Sequence, residues 1–191
     1  MQKMAIPHTI IAIGASAGGL KALQSMVSGL TPDDGHCYVI AQHLSPDYES
    51  NMVNLIAKHT PISVVSATNG QRLEANTIYI CPENANIQCD NLNLHLTIPL
   101  AEQVAAPNIN LLLHSLATVD DCKIIGVILS GVGTDGAEGL KFLKSYGGTT
   151  IIQDPESAQY DGMVQAAAVA ADIDYIARAE NIGAILTKLR S

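Results

Sequence analysis

Ser16, His43 and Asp135 are the side chains of this sequence whose types and placement suit the activation of a hydroxyl. Ser16 sits at the corner of Gly14-Ala15-Ser16-Ala17-Gly18, a match to the G-x-S-x-G turn that lifts a serine hydroxyl above the end of a sheet. Taken alone the match is weak, because glycine-rich strand-to-helix turns also cradle phosphates and serine is a common helix cap. His43 has a bland alternative as a turn histidine before Leu44-Ser45-Pro46, and Asp135-x-x-Glu138 resembles a capping box with aspartate in the Ser/Thr position. Position joins the three, since each closely follows an apolar, strand-like run. In an open parallel sheet, functional groups gather outside the carboxyl ends of the strands, so a nucleophile, a base and an acid would project from one edge. There the imidazole takes the serine proton, the carboxylate fixes the tautomer and backbone N–H groups hold the oxyanion. The chain order Ser, His, Asp differs from the Ser, Asp, His order of α/β-hydrolases, which puts any such triad on another topology.

The elements that must carry these residues follow from hydrophobic periodicity. Residues 10–13 are an aliphatic run, and Leu20, Leu23, Met26, Val27 and Leu30 follow at helical spacing until Thr31-Pro32. Residues 37–41 repeat the strand pattern ahead of Gln42-His43, and Met52, Val53, Ile56 and Ala57 mark a second helix. Two successive β-α units predict a parallel sheet with right-handed crossovers. Residues 62–65 and 77–80 are strand-like with no long helix between them. Two alternating runs, 87–89 and 92–96, face each other across Asp90-Asn91, which is a hairpin signal. The expectation is an antiparallel, half-exposed insertion over about 77–98. A helix opened by Pro107-Asn108 comes next, then a buried strand over 123–129, and β-α alternation resumes to the carboxyl end. The predicted fold class is α/β: a doubly wound, mainly parallel sheet in three α/β/α layers with one antiparallel hairpin, forming a single domain over residues 1–191.

Composition narrows the function. The chain of 191 residues is 48% hydrophobic yet has no Trp and one Phe, so its core must be built from Ile, Leu, Val and Ala, as suits strands buried on both faces. A formal charge of -8 argues against a nucleic-acid partner, which would need clustered Lys and Arg. Cys37, Cys81, Cys89 and Cys122 form no C-x-x-C pair and no His stands at zinc-finger spacing, so no metal and no cofactor is expected, and reduced thiols suit a cytoplasmic protein. The amino terminus lacks a signal peptide's apolar region, and no run reaches membrane-spanning length. A nucleotide-binding dehydrogenase is disfavoured because position 20 is Leu rather than Gly and no Tyr is followed by Lys four residues later.

Four segments together carry a resemblance: residues 13–19 through the Ser16 turn, Gln42-His43-Leu44-Ser45-Pro46, residues 128–136 through Gly131-Val132-Gly133-Thr134-Asp135, and residues 153–163 ending in Gly162-Met163. In this order they resemble the catalytic domain of the chemotaxis protein-glutamate methylesterases, from about Ile10 to the carboxyl end. The Ser-Pro-Asp and Asp-Pro-Glu-Ser segments look most like the version fused to receptor methyltransferase and histidine-kinase modules. The resemblance implies Ser16 as nucleophile, His43 as general base and acid, Asp135 as orienter, and the Val132 N–H in the oxyanion hole; elbow geometry adds the N–H of Ala17. It implies hydrolysis of glutamyl methyl esters, and deamidation of glutamines, on methyl-accepting chemoreceptor helices or a related signalling protein, by one acyl-enzyme route. Met163 and Gln165 are expected on the substrate side, where two departures fall: Val164-Gln165 stands where the family commonly has Pro and Arg after Gly162-Met163, and Asn108-Ile109-Asn110 stands where it commonly has an aspartate. The family's receiver domain has no counterpart in this sequence, so control by phosphorylation is not expected to be intrinsic. These departures also motivate an alternative, a catalytically lapsed module that docks on a receptor or signalling kinase.

Overall fold

Strand β1, Thr9–Ala15, is buried at every position, as a strand must be when it has a neighbour on each edge and helices over each face. The computed structural model describes residues 6–32, 35–43, 51–99 and 106–189, so Leu44, Ser45 and Pro46 of the motif after His43 lie outside the described residues. β2, His36–Gln42, and β7, Lys123–Ile128, pair with β1 on its two sides, both parallel. The remaining strands are β3, Ser63–Ser66, β4, Thr77–Ile80, β8, Thr149–Gln153, and β9, Tyr175–Ala177, giving a seven-stranded parallel sheet in the order β3-β4-β2-β1-β7-β8-β9. Among the described residues, six α-helices cover it: α1, Gly19–Val27, α2, Met52–Ala57, α3, Ile109–Ala117, α4, Ala137–Ser145, α5, Gly162–Ala170, and α6, Ala179–Lys188.

The period of two along each strand builds two cores. Ile10, Ala12, Val39 and Ile128 pack toward Leu112, Leu140 and Val164 of α3, α4 and α5. Ile11, Ile13, Ile40 and Val127 pack toward Leu23, Ile56 and Ile182 of α1, α2 and α6. The α1 side chains Ala22, Leu23, Met26 and Val27 form one buried stripe at helical spacing. Each fully buried Leu or Met contributes about 1.5–3 kcal/mol through removal of apolar surface from water.

The middle of the chain differs from expectation in one respect. β3 and β4 are not part of an antiparallel insertion: they pair parallel with each other, and β4 pairs parallel with β2. The antiparallel element is narrower, β5, Asn86–Asp90, with β6, Asn93–Thr97, in a separate two-stranded sheet. Between β3 and β4 the crossover is made by irregular chain rather than a helix, so the βαβ signature is missing although the parallel geometry is present. The hairpin turns at Asn91 and Leu92, both at positive φ, and Ile87, Cys89 and Leu94 face inward while His95 is exposed.

Candidate active site

Strand register sets the site. Ala15 lies opposite Gln42 and Gly14 opposite Ile128, so the next residues, Ser16, His43 and Leu129-Ser130, leave the sheet side by side at its carboxyl edge. Two ladder bonds extend past the strand ends: the His43 N–H donates to the Ala15 carbonyl at 2.9 Å, and the Ser16 N–H to the Ser130 carbonyl at 3.0 Å. The alternation that points Val39 and Ala41 toward α3 carries His43 to that side as well, where it meets Asp135.

The imidazole Nε2 of His43 lies 2.9 Å from Asp135 Oδ2, with the side chains only 13% and 20% exposed. Oδ2 also accepts the Ile109 N–H at 2.8 Å, and Oδ1 accepts the N–H groups of Asn110 at 3.0 Å and Gly136 at 2.9 Å. Burial pushes the Asp135 carboxyl upward, but the His43 hydrogen bond and the Ile109 and Asn110 N–H groups outweigh it and hold the group below its ordinary value. An ionised carboxylate accepts, so Nε2 carries the proton and Nδ1 presents its lone pair away from Asp135.

Asp135 is a cap, though not of its own helix. The N-cap of α4 is Gly136, with no side-chain cap, whereas the Asp135 carboxylate satisfies the first N–H groups of α3. Asn110 returns the contact: its Oδ1 accepts from Gly136 at 3.1 Å and from Gly139 at 2.7 Å, at the start of α4. Asn108 caps α3 in the ordinary way, its Oδ1 accepting from Leu111 N at 2.8 Å. Both asparagines therefore have structural work here, and the amide at position 110 reaches the α4 amides without a second negative charge beside Asp135.

Ser16 is half-buried, and its hydroxyl has no hydrogen-bond partner among the described residues. The turn that holds it depends on Gly18 at φ 72, which lets the chain enter α1 within three residues of β1. Behind the turn, the buried Ser130 hydroxyl donates to the Ala17 carbonyl at 2.8 Å and accepts the Tyr160 N–H at 3.0 Å, tying the elbow to the 154–162 segment. The Ala17 N–H donates to no acceptor among the described residues, and the same holds for the Val132 N–H on an exposed turn.

Met163 and Gln165, expected together on the substrate side, part company. Met163 is fully buried, and a Cβ on Gly131 would lie 2.1 Å from its sulfur and 2.9 Å from Ser16 Cβ. Met163 therefore backs the Gly131-Val132 turn and does not line a surface. Gln165 is exposed, donates to the Asp161 carboxylate, and borders a cleft of about 550 Å³ with Asn110, Thr134 and Glu138. Val164, the other departure, is fully buried on the inner side of α5. Gln42, Asn110, Ser130 and Gly131 carry contacts that residue type alone did not single out; the usable signal was that Gln42 and Ser130–Gly131 stand at or just past strand ends. No group of three or more His, Cys, Asp or Glu among the described residues could hold a metal ion.

Comparison with known proteins comes to one point. A family model described as CheB methylesterase matches residues 11–186. A putative protein-glutamate methylesterase/protein-glutamine glutaminase of Leptospira interrogans is 30% identical over 184 residues, 95% of each chain. The protein-glutamate methylesterase/protein-glutamine glutaminase of Oceanobacillus iheyensis is 33% identical over 187 residues, 95% of this chain and 53% of its own length, so this chain spans about half of that relative. The crystal structure of the Thermotoga maritima CheB methylesterase catalytic domain superposes with a TM-score of 0.84 at 26% identity, covering 96% of this chain and 100% of that one.

Proposed function

Because the chain belongs to the CheB methylesterase family, we propose that it is a serine hydrolase that removes methyl esters from glutamyl side chains of a signalling receptor in the cytoplasm. Ser16 Oγ attacks the ester carbonyl while His43 Nδ1 takes its proton, and the Ala17 and Val132 N–H groups receive the developing oxyanion. Collapse of the tetrahedral adduct breaks the C–O bond, His43 returns the proton to the leaving methoxide, and methanol departs. Water then attacks the acyl-enzyme with His43 again as base, freeing glutamate and Ser16. A glutamine substrate enters the same route with ammonia as leaving group, as the paired activities in the relatives' names suggest.

The observation that carries this reading is the His43 Nε2 to Asp135 Oδ2 contact of 2.9 Å next to the Ser16 turn. It leaves the other ring nitrogen free to act as base. A docking module has no use for a largely buried imidazole oriented by a four-donor carboxylate, so turnover is favoured over the lapsed-site alternative. Methanol release from a methylated receptor should fall by at least about 10⁴-fold in Ser16→Ala, since only binding and oxyanion stabilisation survive loss of a nucleophile. Equal release by the two proteins would overturn the assignment.

A further inference from the structure

We propose that Gln42 is a positioning residue that fixes the backbone of the nucleophile against that of the base from the opposite face of the sheet. The inference rests on the hydrolase reading above and goes beyond the Ser16, His43 and Asp135 set.

Alternation along β2 sends Gln42 away from His43, toward α1, with Tyr38 and Ile40. The side chain is 6% exposed. Its Nε2 donates to the Ser16 carbonyl at 2.7 Å and to the His43 carbonyl at 2.8 Å, so both amide hydrogens are used on the two residues that must react together. Its Oε1 is buried with no hydrogen-bond partner among the described residues. The reverse orientation of the amide would aim that oxygen at two carbonyl oxygens, so the network itself selects the observed one.

A buried acceptor with no donor is costly, and the layer around it is apolar. A methionine of similar length would fill the same space without stranding an oxygen. The amide is therefore explained by what its N–H groups hold rather than by packing. Ser16 is held otherwise by its N–H to the Ser130 carbonyl at 3.0 Å and by the Gly19 N–H to its own carbonyl at 2.8 Å, and neither bond ties it to His43. The last ladder bond between the two strands runs from His43 N to Ala15 O, one residue short of the nucleophile. Beyond it, among the described residues, Gln42 is the cross-link between the Ser16 and His43 main chains. Gly19 makes room for it, since a Cβ there would lie 2.3 Å from Gln42 Oε1 and 2.7 Å from Ala15 Cβ.

The test uses the full chain with Gln42→Met, which keeps length and loses the donors, and Gln42→Asn, whose shorter stem cannot reach both carbonyls. Methyl-ester turnover is measured together with the rate of Ser16 phosphonylation by a fluorophosphonate probe, each per folded molecule counted by circular dichroism. Loss of alignment of an ångström or less lowers kcat by about 10- to 100-fold, with KM within about twofold and phosphonylation slowed in parallel. Wild-type kcat in Gln42→Met, a KM rise accounting for the whole loss, or failure of both variants to fold would overturn the proposal, the last in favour of a purely structural role. An active wild type matched by Gln42→Met, with Ser16→Ala dead, refutes only the role of Gln42. A wild type inert to both substrate and probe refutes the hydrolase reading and takes the role of Gln42 with it.

Discussion

Replacing Asp135 by Asn tests the electrostatic logic of the site more sharply than removing the nucleophile, because shape is kept and only charge and hydrogen-bond polarity change. In the wild type the carboxylate accepts from His43 Nε2, Ile109 N, Asn110 N and Gly136 N. An amide keeps one accepting oxygen, and its NH₂ must face either His43 with Ile109 or Asn110 with Gly136. If it faces His43, the ring must accept at Nε2 and protonate Nδ1, which removes the base that Ser16 needs. The expected loss is about 10⁴-fold in kcat, the order seen when a triad aspartate becomes asparagine, or about 5.5 kcal/mol of transition-state stabilisation. Stability falls too, because one or two helix N–H groups lose their acceptor, at about 1–3 kcal/mol. For a chain of this size that is roughly 2–4 °C in Tm per kcal/mol. The pH dependence adds a second signature. The folded-state affinity of Asp135 for a proton is held below the ordinary carboxylate value, so its contribution is fully present above about pH 4 and is lost as pH falls through the folded value. Asp135→Asn should lack that acid-side slope. Methanol-release kinetics at neutral pH and thermal melts between pH 3 and 7 measure both effects. A variant with kcat within tenfold of wild type, or an unchanged slope, would refute the reasoning.

Gly131→Ala should abolish most activity, since its methyl would meet both the Met163 sulfur and Ser16 Cβ; a fall of about 100-fold in kcat is expected from displacement of the nucleophile, and wild-type turnover would show that the turn adapts freely. Burial pushes the Cys81 and Cys89 thiols up to about 12 and raises that of Cys37 well above its usual value; it raises the Cys122 thiol as well, but that side chain is only half-buried and stays open to solvent. A disulfide reagent at pH 8 should therefore reach Cys122 first and the other three only on unfolding; rapid labelling of all four in the native protein would contradict the packing.

The β-α alternation was legible because β1, β2 and β7 carry unbroken apolar runs and the helices repeat their buried stripes, and the placement of Ser16, His43 and Asp135 at one sheet edge was legible because they follow those three runs. β3 and β4 were misread because a parallel crossover without a helix leaves no periodic signal, and only pairing with β2 reveals their direction. Asp135 showed the local pattern of a cap, and it is one, but the helix it caps begins 26 residues earlier in the chain and is brought there by packing. Met163 was expected on the substrate side because it closes the 153–163 segment of the resemblance, yet the missing side chain of Gly131 opens the hole that it fills.

The exchange of caps between α3 and α4 bears on timing. Asp135 closes the start of one helix and Asn110 the start of the other, so neither helix can be completed until the two have docked. The carboxylate that steers the imidazole is consequently immobilised when the chain folds, and its loss of rotational entropy is settled then rather than at every turnover. Each arriving substrate meets an orienting group that has no freedom left to surrender.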